Sequence, residues 1–260
     1  MFFKDMTNGS SDTAAVPKRV FIVYQYVKSK NGISRNDLKE ALEPAYITSD
    51  IKLSTSVINA AEELGLIKQE DGFYYQKAPD LKTIEDMRRY INGNINSIKD
   101  GAFYKITSEI FNMTSNELMS YKQLTEMARD ISSHSLQSIT PEGLRAWRFW
   151  GQFLGFGYLS NLVFMPNAAL FIEDLIHNIE FSKGVLYSVD EFLDIVSPSI
   201  NIILNNSDKN LKTFNYGVTC GLSTLEATGR IKTQHILDHD VWNTMNIGLG
   251  SQRITNIEIL

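Results

Sequence analysis

The sequence predicts an α+β chain, mainly helical, made of three copies of a unit in which three helices run into a two-stranded antiparallel hairpin. Three observations carry this. A helix start of one pattern recurs at Ser34, Ser120 and Ser188. A second amphipathic stretch follows each and stops at Gly65, Gly155 or Gly229. A short extended pair follows each glycine.

The helix starts read as capping boxes with a hydrophobic staple. A Ser side chain accepts the amide three residues on, an acidic or amide residue there reaches back, and the flanking apolar residues pair. Ser34, Asp37 and the Ile33–Leu38 pair make the first copy. The second has Ser120, Gln123 and Met119–Leu124, and the third Ser188, Glu191 and Tyr187–Phe192. Apolar residues then continue on one helical face, as Ala41 and Leu42, Met127 and Ala128, and Ile195 and Val196. A helix precedes each box: Val20, Val23, Tyr24 and Val27; Phe103, Ile106 and Ile110; Phe171, Leu175 and Ile179.

The helices after the boxes carry Val57, Ala61 and Leu64; Leu144, Trp147, Trp150 and Leu154; and Leu211, Phe214, Val218, Leu222 and Leu225. A glycine just past the last apolar turn supplies the left-handed residue that ends a helix. Asp71-Gly72, between Leu66–Gln69 and Phe73–Tyr75, is a hairpin signal. Tyr158–Phe164 turns at Ser160-Asn161; Arg230–Leu237 returns through Gly248-Leu249-Gly250 to Ile254–Ile259. The box-to-glycine distances are 31, 35 and 41 residues, so separate domains fit better than a fixed-period solenoid. The expected division is a flexible tail over 1–16, units at 17–78, 101–168 and 169–260, and a helical linker over 79–100.

Helix, helix, helix, two-stranded wing is the winged helix-turn-helix order. Ser54-Thr55-Ser56-Val57-Ile58-Asn59-Ala60-Ala61-Glu62-Glu63-Leu64-Gly65-Leu66-Ile67 with its Asp71-Gly72 hairpin resembles the third helix and wing of that class, over roughly residues 17–78. With Phe149-Trp150-Gly151-Gln152-Phe153-Leu154-Gly155-Phe156-Gly157 and Leu225-Glu226-Ala227-Thr228-Gly229-Arg230-Ile231, the whole chain resembles the DpdG-type proteins encoded beside bacterial 7-deazapurine DNA-modification genes. That resemblance implies a non-catalytic part in a DNA-modification or phage-defence system and carries over no catalytic residue.

Composition sets bounds. The chain has 260 residues, 43% hydrophobic and 21% charged, which suits folded domains and excludes a disordered chain. The single cysteine, Cys220, excludes an intrachain disulfide framework and a paired-cysteine zinc site. No apolar run approaches the roughly 18 residues of a membrane span, and no signal-peptide pattern follows Met1-Phe2-Phe3-Lys4-Asp5-Met6, so a cytoplasmic location is expected. The net charge is −5, and segment 15–78 alone is positive, at +1; 101–178 carries −2 and 179–260 carries −3.

Double-stranded DNA is therefore expected at the first unit, with other subunits of a larger complex as further partners. Lys52, Ser54, Thr55, Ser56 and Asn59 open its third helix with short polar groups for base edges or phosphates. Arg35, Lys39 and Lys68 add phosphate contacts, and Glu62 and Glu63 oppose them. Ser54 also reads as a helix cap. In the second unit Arg145 and Arg148 share a helical face, while Trp147 and Trp150 read as core. The third unit's helix from Thr213 to Thr224 is uncharged and reads as buried or protein-facing. The rival to DNA association is a tandem winged-helix scaffold without direct DNA contact, as in the kleisin-binding partners of bacterial condensins.

No catalytic constellation is expected, and neither cofactor nor metal. His235, Asp238, His239 and Asp240 are metal-ligand types, but a strand at Arg230–Leu237 sets the two histidines too far apart for one ion. Cys220 reads as a small buried residue. Asn246-Ile247-Gly248-Leu249-Gly250-Ser251 lacks the lysine of a phosphate loop and reads as a turn.

Overall fold

The computed structural model describes residues 3, 14–44, 52–135, 138–160, 163–247 and 252–260. It is α+β, mainly helical, with small antiparallel sheets. The chain divides into two compact units: Met1–Ile91, Ser97–Tyr104 and Gln123–Trp150 form the first, and Asn92–Asn96, Lys105–Lys122 and Gly151–Leu260 the second.

The first unit opens with α1 (Pro17–Lys30). Proline at its first position costs no hydrogen bond there, and Val20, Val23, Tyr24 and Val27 make one buried face. Strand β1 (Ile33–Ser34) leads into α2 (Arg35–Leu42), where the Ser34 hydroxyl accepts the Asp37 amide at 3.1 Å, the cap expected from sequence. Helix α3 (Lys52–Glu63) buries Val57, Ile58, Ala60 and Ala61 and ends at Gly65, φ +68°. Strands β2 (Ile67–Glu70) and β3 (Phe73–Gln76) then meet across Asp71 and Gly72, both left-handed at φ 51° and 82°. That is the two-residue turn whose twist matches a hairpin. Ile33 pairs with Tyr74, so the sheet order is β1-β3-β2. The Tyr24 hydroxyl accepts the Leu81 amide at 3.0 Å and holds the chain after β3 against α1.

Helix α4 (Ile84–Gly93) begins at a Thr83–Asp86 box. The Thr83 amide bond is the main reason the Asp86 carboxyl lies below the usual carboxylate range. A depressed folded pKa stabilises the fold above the unfolded value, and the contribution is lost as pH falls through the folded one. Asp86→Ala is expected to cost about 1 kcal/mol at neutral pH. The gap to wild type should close in acid, which urea titrations at pH 7 and at pH 3 or below would check. Helix α5 is Ala102–Asn112.

The second copy of the helix start differs from the sequence reading. Ser120 does not cap a helix; it ends α6 (Ser115–Ser120), and its hydroxyl donates back to the Glu117 carbonyl. The box forms six residues earlier, between Thr114 and Glu117. Helix α7 (Leu124–Ser135) starts without the expected Ser120–Gln123 pair, and α8 (Pro141–Phe153) follows. The unit boundaries fall inside α4, α5 and α8.

In the second unit Gly155, φ +81°, turns the chain into the hairpin of β4 (Gly157–Ser160) and β5 (Val163–Pro166). Helix α9 (Ala169–Asn178) leads to β6 (Leu186–Ser188), and the Ser188 hydroxyl caps α10 (Val189–Ile195) by accepting the Glu191 amide. After α11 (Asn206–Leu211), helix α12 (Tyr216–Ala227) stops at Gly229, φ +68°. Strands β7 (Ile231–Gln234) and β10 (Asn256–Ile259) complete a sheet of order β6-β10-β7. This repeats the order of the first unit's sheet, with one addition: the short pair β8 (Trp242–Asn243) and β9 (Arg253–Ile254) lies between β7 and β10 in sequence. The Gly248-Leu249-Gly250 turn and Asn161 lie outside the described residues.

The expected free tail is corrected at three positions. Phe3, Ala14 and Ala15 are buried; Phe3 makes edge contacts with Phe103 and Trp150 at centroid distances of 5.1 and 4.9 Å, and the Trp150 indole donates to the Ala15 carbonyl. Trp147 and Trp150 are fully buried, as expected. Among the described residues no helix is long and apolar enough to cross a membrane.

Candidate nucleic-acid interface

Helix α3 sorts its residues by face. Ser54, Val57, Ile58, Ala60, Ala61 and Leu64 point to the core, while Thr55, Ser56 and Asn59 are half-exposed. At about 100° per residue, Thr55, Ser56 and Asn59 fall within one arc opposite the core, and position 52 falls in the same arc. The side chain of Lys52 lies outside the described residues. Ser54 departs from the sequence reading: it is 2% exposed, its amide donates to Glu43 Oε2 at 3.0 Å, and it belongs to the helix's inner side. The first acidic residues of α3 are Glu62 and Glu63, in its last turn. Glu63 is turned inward and accepts the Phe3 amide at 2.6 Å.

The remaining basic candidates of this module lie on α2 and β2. Arg35 is exposed at the start of α2, and its charge acts on the buried Tyr74 hydroxyl, whose pKa burial raises. Lys39 is half-buried one turn on. Lys68 on β2 is held by Glu70 at 2.7 Å, so the tip of the β2–β3 hairpin, Glu70-Asp71-Gly72, presents acid rather than base. Phe73 beside it is 45% exposed.

Arg145 and Arg148 lie on α8, away from the buried Trp147–Trp150 side. Arg145 is exposed and Arg148 half-buried. Burial, and then the charge of Arg145, lowers the Arg148 pKa.

The helix of the second unit that corresponds to α3 by topology is α12; it is uncharged from Tyr216 to Leu225 and leaves Tyr216, Cys220, Ser223 and Thr224 half-exposed. From Tyr216 to Leu225 no residue is fully exposed. Two glycines let neighbours approach: a Cβ on Gly217 would sit 2.4 Å from the Phe111 ring, and one on Gly221 would sit 2.9 Å from the Ala168 backbone. The β8–β9 pair closes its N-terminal end, where the Met245 amide donates to Thr219 Oγ1 and the Phe214 amide to the Asn243 carbonyl. Lys212 fixes the start of that insertion by ion pairs of 2.9 Å to both Asp190 and Asp240, and the Trp242 indole donates to Asp190. Nothing local in the sequence signals these bonds, since 22 residues separate Asp190 from Lys212.

His235 and His239 are both exposed and lie beyond the end of β7, around a turn with Asp238 at φ 67°. Among the described residues no three or more His, Cys, Asp or Glu side chains form a metal-sized group. Burial raises the Cys220 thiol above its ordinary value, and the Tyr216 hydroxyl beside it is pushed up to about 12, chiefly by burial. A thiol shifted in that direction is less nucleophilic at neutral pH.

Comparison with protein families, with curated proteins and with solved structures finds no match.

Proposed function

We propose that the chain is a non-catalytic DNA-associated protein whose first 17–78 module is a winged helix that meets duplex DNA through α3. The observation that carries this reading is the outer face of α3. It follows the helix-strand-helix-helix-strand-strand order with sheet order β1-β3-β2, and offers Thr55, Ser56 and Asn59 with no acidic residue until Glu62. Recognition helices of the helix-turn-helix class lie in the major groove and use short polar and basic side chains from their N-terminal part. Arg35, Lys39 and Lys52 supply the positive charge for flanking phosphates. The segment resemblance to DpdG-type proteins adds a DNA-modification or defence setting. In this reading the second unit, whose corresponding helix is uncharged from Tyr216 to Leu225, serves protein contacts instead.

A scaffold without direct DNA contact is the second reading. The acidic wing tip and the exposed Phe73 and Leu53 favour it, because a phosphate-facing surface rarely combines carboxylates with bare apolar groups. The two readings part on one experiment. The full chain is titrated against a labelled duplex, alongside a Thr55→Glu/Asn59→Glu variant that brings two carboxylates to the face. The DNA reading expects binding by wild type and a loss of about tenfold or more in the variant. Equal affinity, or no binding by wild type at low salt, would leave the scaffold reading.

A further inference from the structure

The geometry points to a single-stranded nucleic-acid site on the outer face of α8, formed by Arg145, Arg148 and Phe149. It stands apart from the duplex reading of α3 and does not depend on it. Among the described residues the side chains of Arg145 and Arg148 form no ion pair and no hydrogen bond, in a protein with 30 acidic residues against 25 basic ones. Arg148 Nε is buried without an acceptor. Two neighbouring guanidiniums that share no carboxylate repel each other, and a buried N–H without an acceptor destabilises the fold that holds it. An arrangement of this kind is relieved by an anion with several acceptor oxygens. A phosphate suits the planar donor fork of arginine.

Phe149 decides which phosphate compound. Its ring is 45% exposed beside Arg148, whereas Trp147 and Trp150 on the other side of the helix are fully buried. A bare aromatic ring next to arginines is the combination that holds single strands: the cations follow the backbone and the ring stacks on an unpaired base. A duplex hides its base faces, and a free phosphate has none, so neither uses Phe149.

The test is fluorescence anisotropy of a labelled oligothymidylate with the full chain and with Arg145→Glu and Phe149→Ala variants. Both residues are exposed, so circular dichroism should stay that of wild type. Wild type is expected to bind with strong salt dependence; Arg145→Glu should weaken binding about tenfold and Phe149→Ala about fivefold or more. The Thr55→Glu/Asn59→Glu variant should bind the oligothymidylate as wild type does, which separates this site from the one on α3. Three results overturn the assignment: no binding by wild type, equal binding by the two α8 variants, or inorganic polyphosphate competing as well as the oligonucleotide while Phe149→Ala changes nothing. The last would leave a bare anion site.

Discussion

Replacing Phe3 with alanine is expected to destabilise the first unit by about 3–5 kcal/mol, the usual cost of emptying a buried phenylalanine site. Phe3 has no exposed surface and stands edge-on to both Phe103 and Trp150. Such aromatic pairs add about 0.5–1.5 kcal/mol beyond the area they bury. The same residue donates its amide to Glu63, so the start of the chain is joined to the end of α3, the proposed reading helix. Trp150 belongs to the cluster, and urea unfolding followed by tryptophan fluorescence reports on it directly. A midpoint within error of wild type would mean that Phe3 contributes nothing and that the N-terminal segment is free.

Gly155→Ala is expected to cost about 2–5 kcal/mol in the second unit. Part is conformational: the residue sits at φ +81°, and a Cβ in the left-handed region costs about 1–2 kcal/mol. The rest is overlap. The new Cβ would lie 2.7 Å from both the Phe171 amide nitrogen and Leu170 Cβ, and the backbone atom cannot swing aside. Overpacking of this kind adds about 1–3 kcal/mol. Gly229 is the control. It has nearly the same dihedral, φ +68°, but nothing lies within 4 Å of its would-be Cβ, so Gly229→Ala should lose only the conformational part. Equal losses at the two glycines would contradict the packing described around α9.

What the sequence made legible was local. The Ser34 and Ser188 caps, the Asp71-Gly72 turn and the three helix-ending glycines each act over four residues or fewer and form as expected; at both serines the cap accepts the amide three residues on without the reciprocal bond of a full box. The missed second box shows the competition among such signals. Thr114 with Glu117 satisfies the same pattern a turn and a half earlier, with a glutamate that reaches the cap amide, and the helix it starts consumes Ser120. Strands β1 and β6 have two and three residues, too few for alternation to register; they exist because β3 and β10 offer them partners.

The candidate face on α3 was partly legible for the same reason. Helical periodicity places Thr55, Ser56 and Asn59 together, yet it also shows why Ser54 belongs with Val57, Ile58 and Ala61 on the buried side. The lack of charge from Tyr216 to Leu225 already set α12 apart from α3, although the β8–β9 insertion at its N-terminal end has no alternation to reveal it. Phe3 lies in a short run, Met1-Phe2-Phe3 with Met6 three residues on, too brief for periodicity to mark a core face. Only tertiary packing identifies it as core.

We propose that the first unit binds duplex DNA through phosphates and base edges on α3. The most direct test is the salt dependence of duplex affinity for the wild-type chain. Log affinity is expected to fall linearly with log salt, with a slope of about −2 to −4, as three or so basic contacts release their counterions. A Lys52→Ala/Asn59→Ala variant should bind more weakly and with a slope shallower by about one. No binding at low salt, or binding that salt does not weaken, would contradict it.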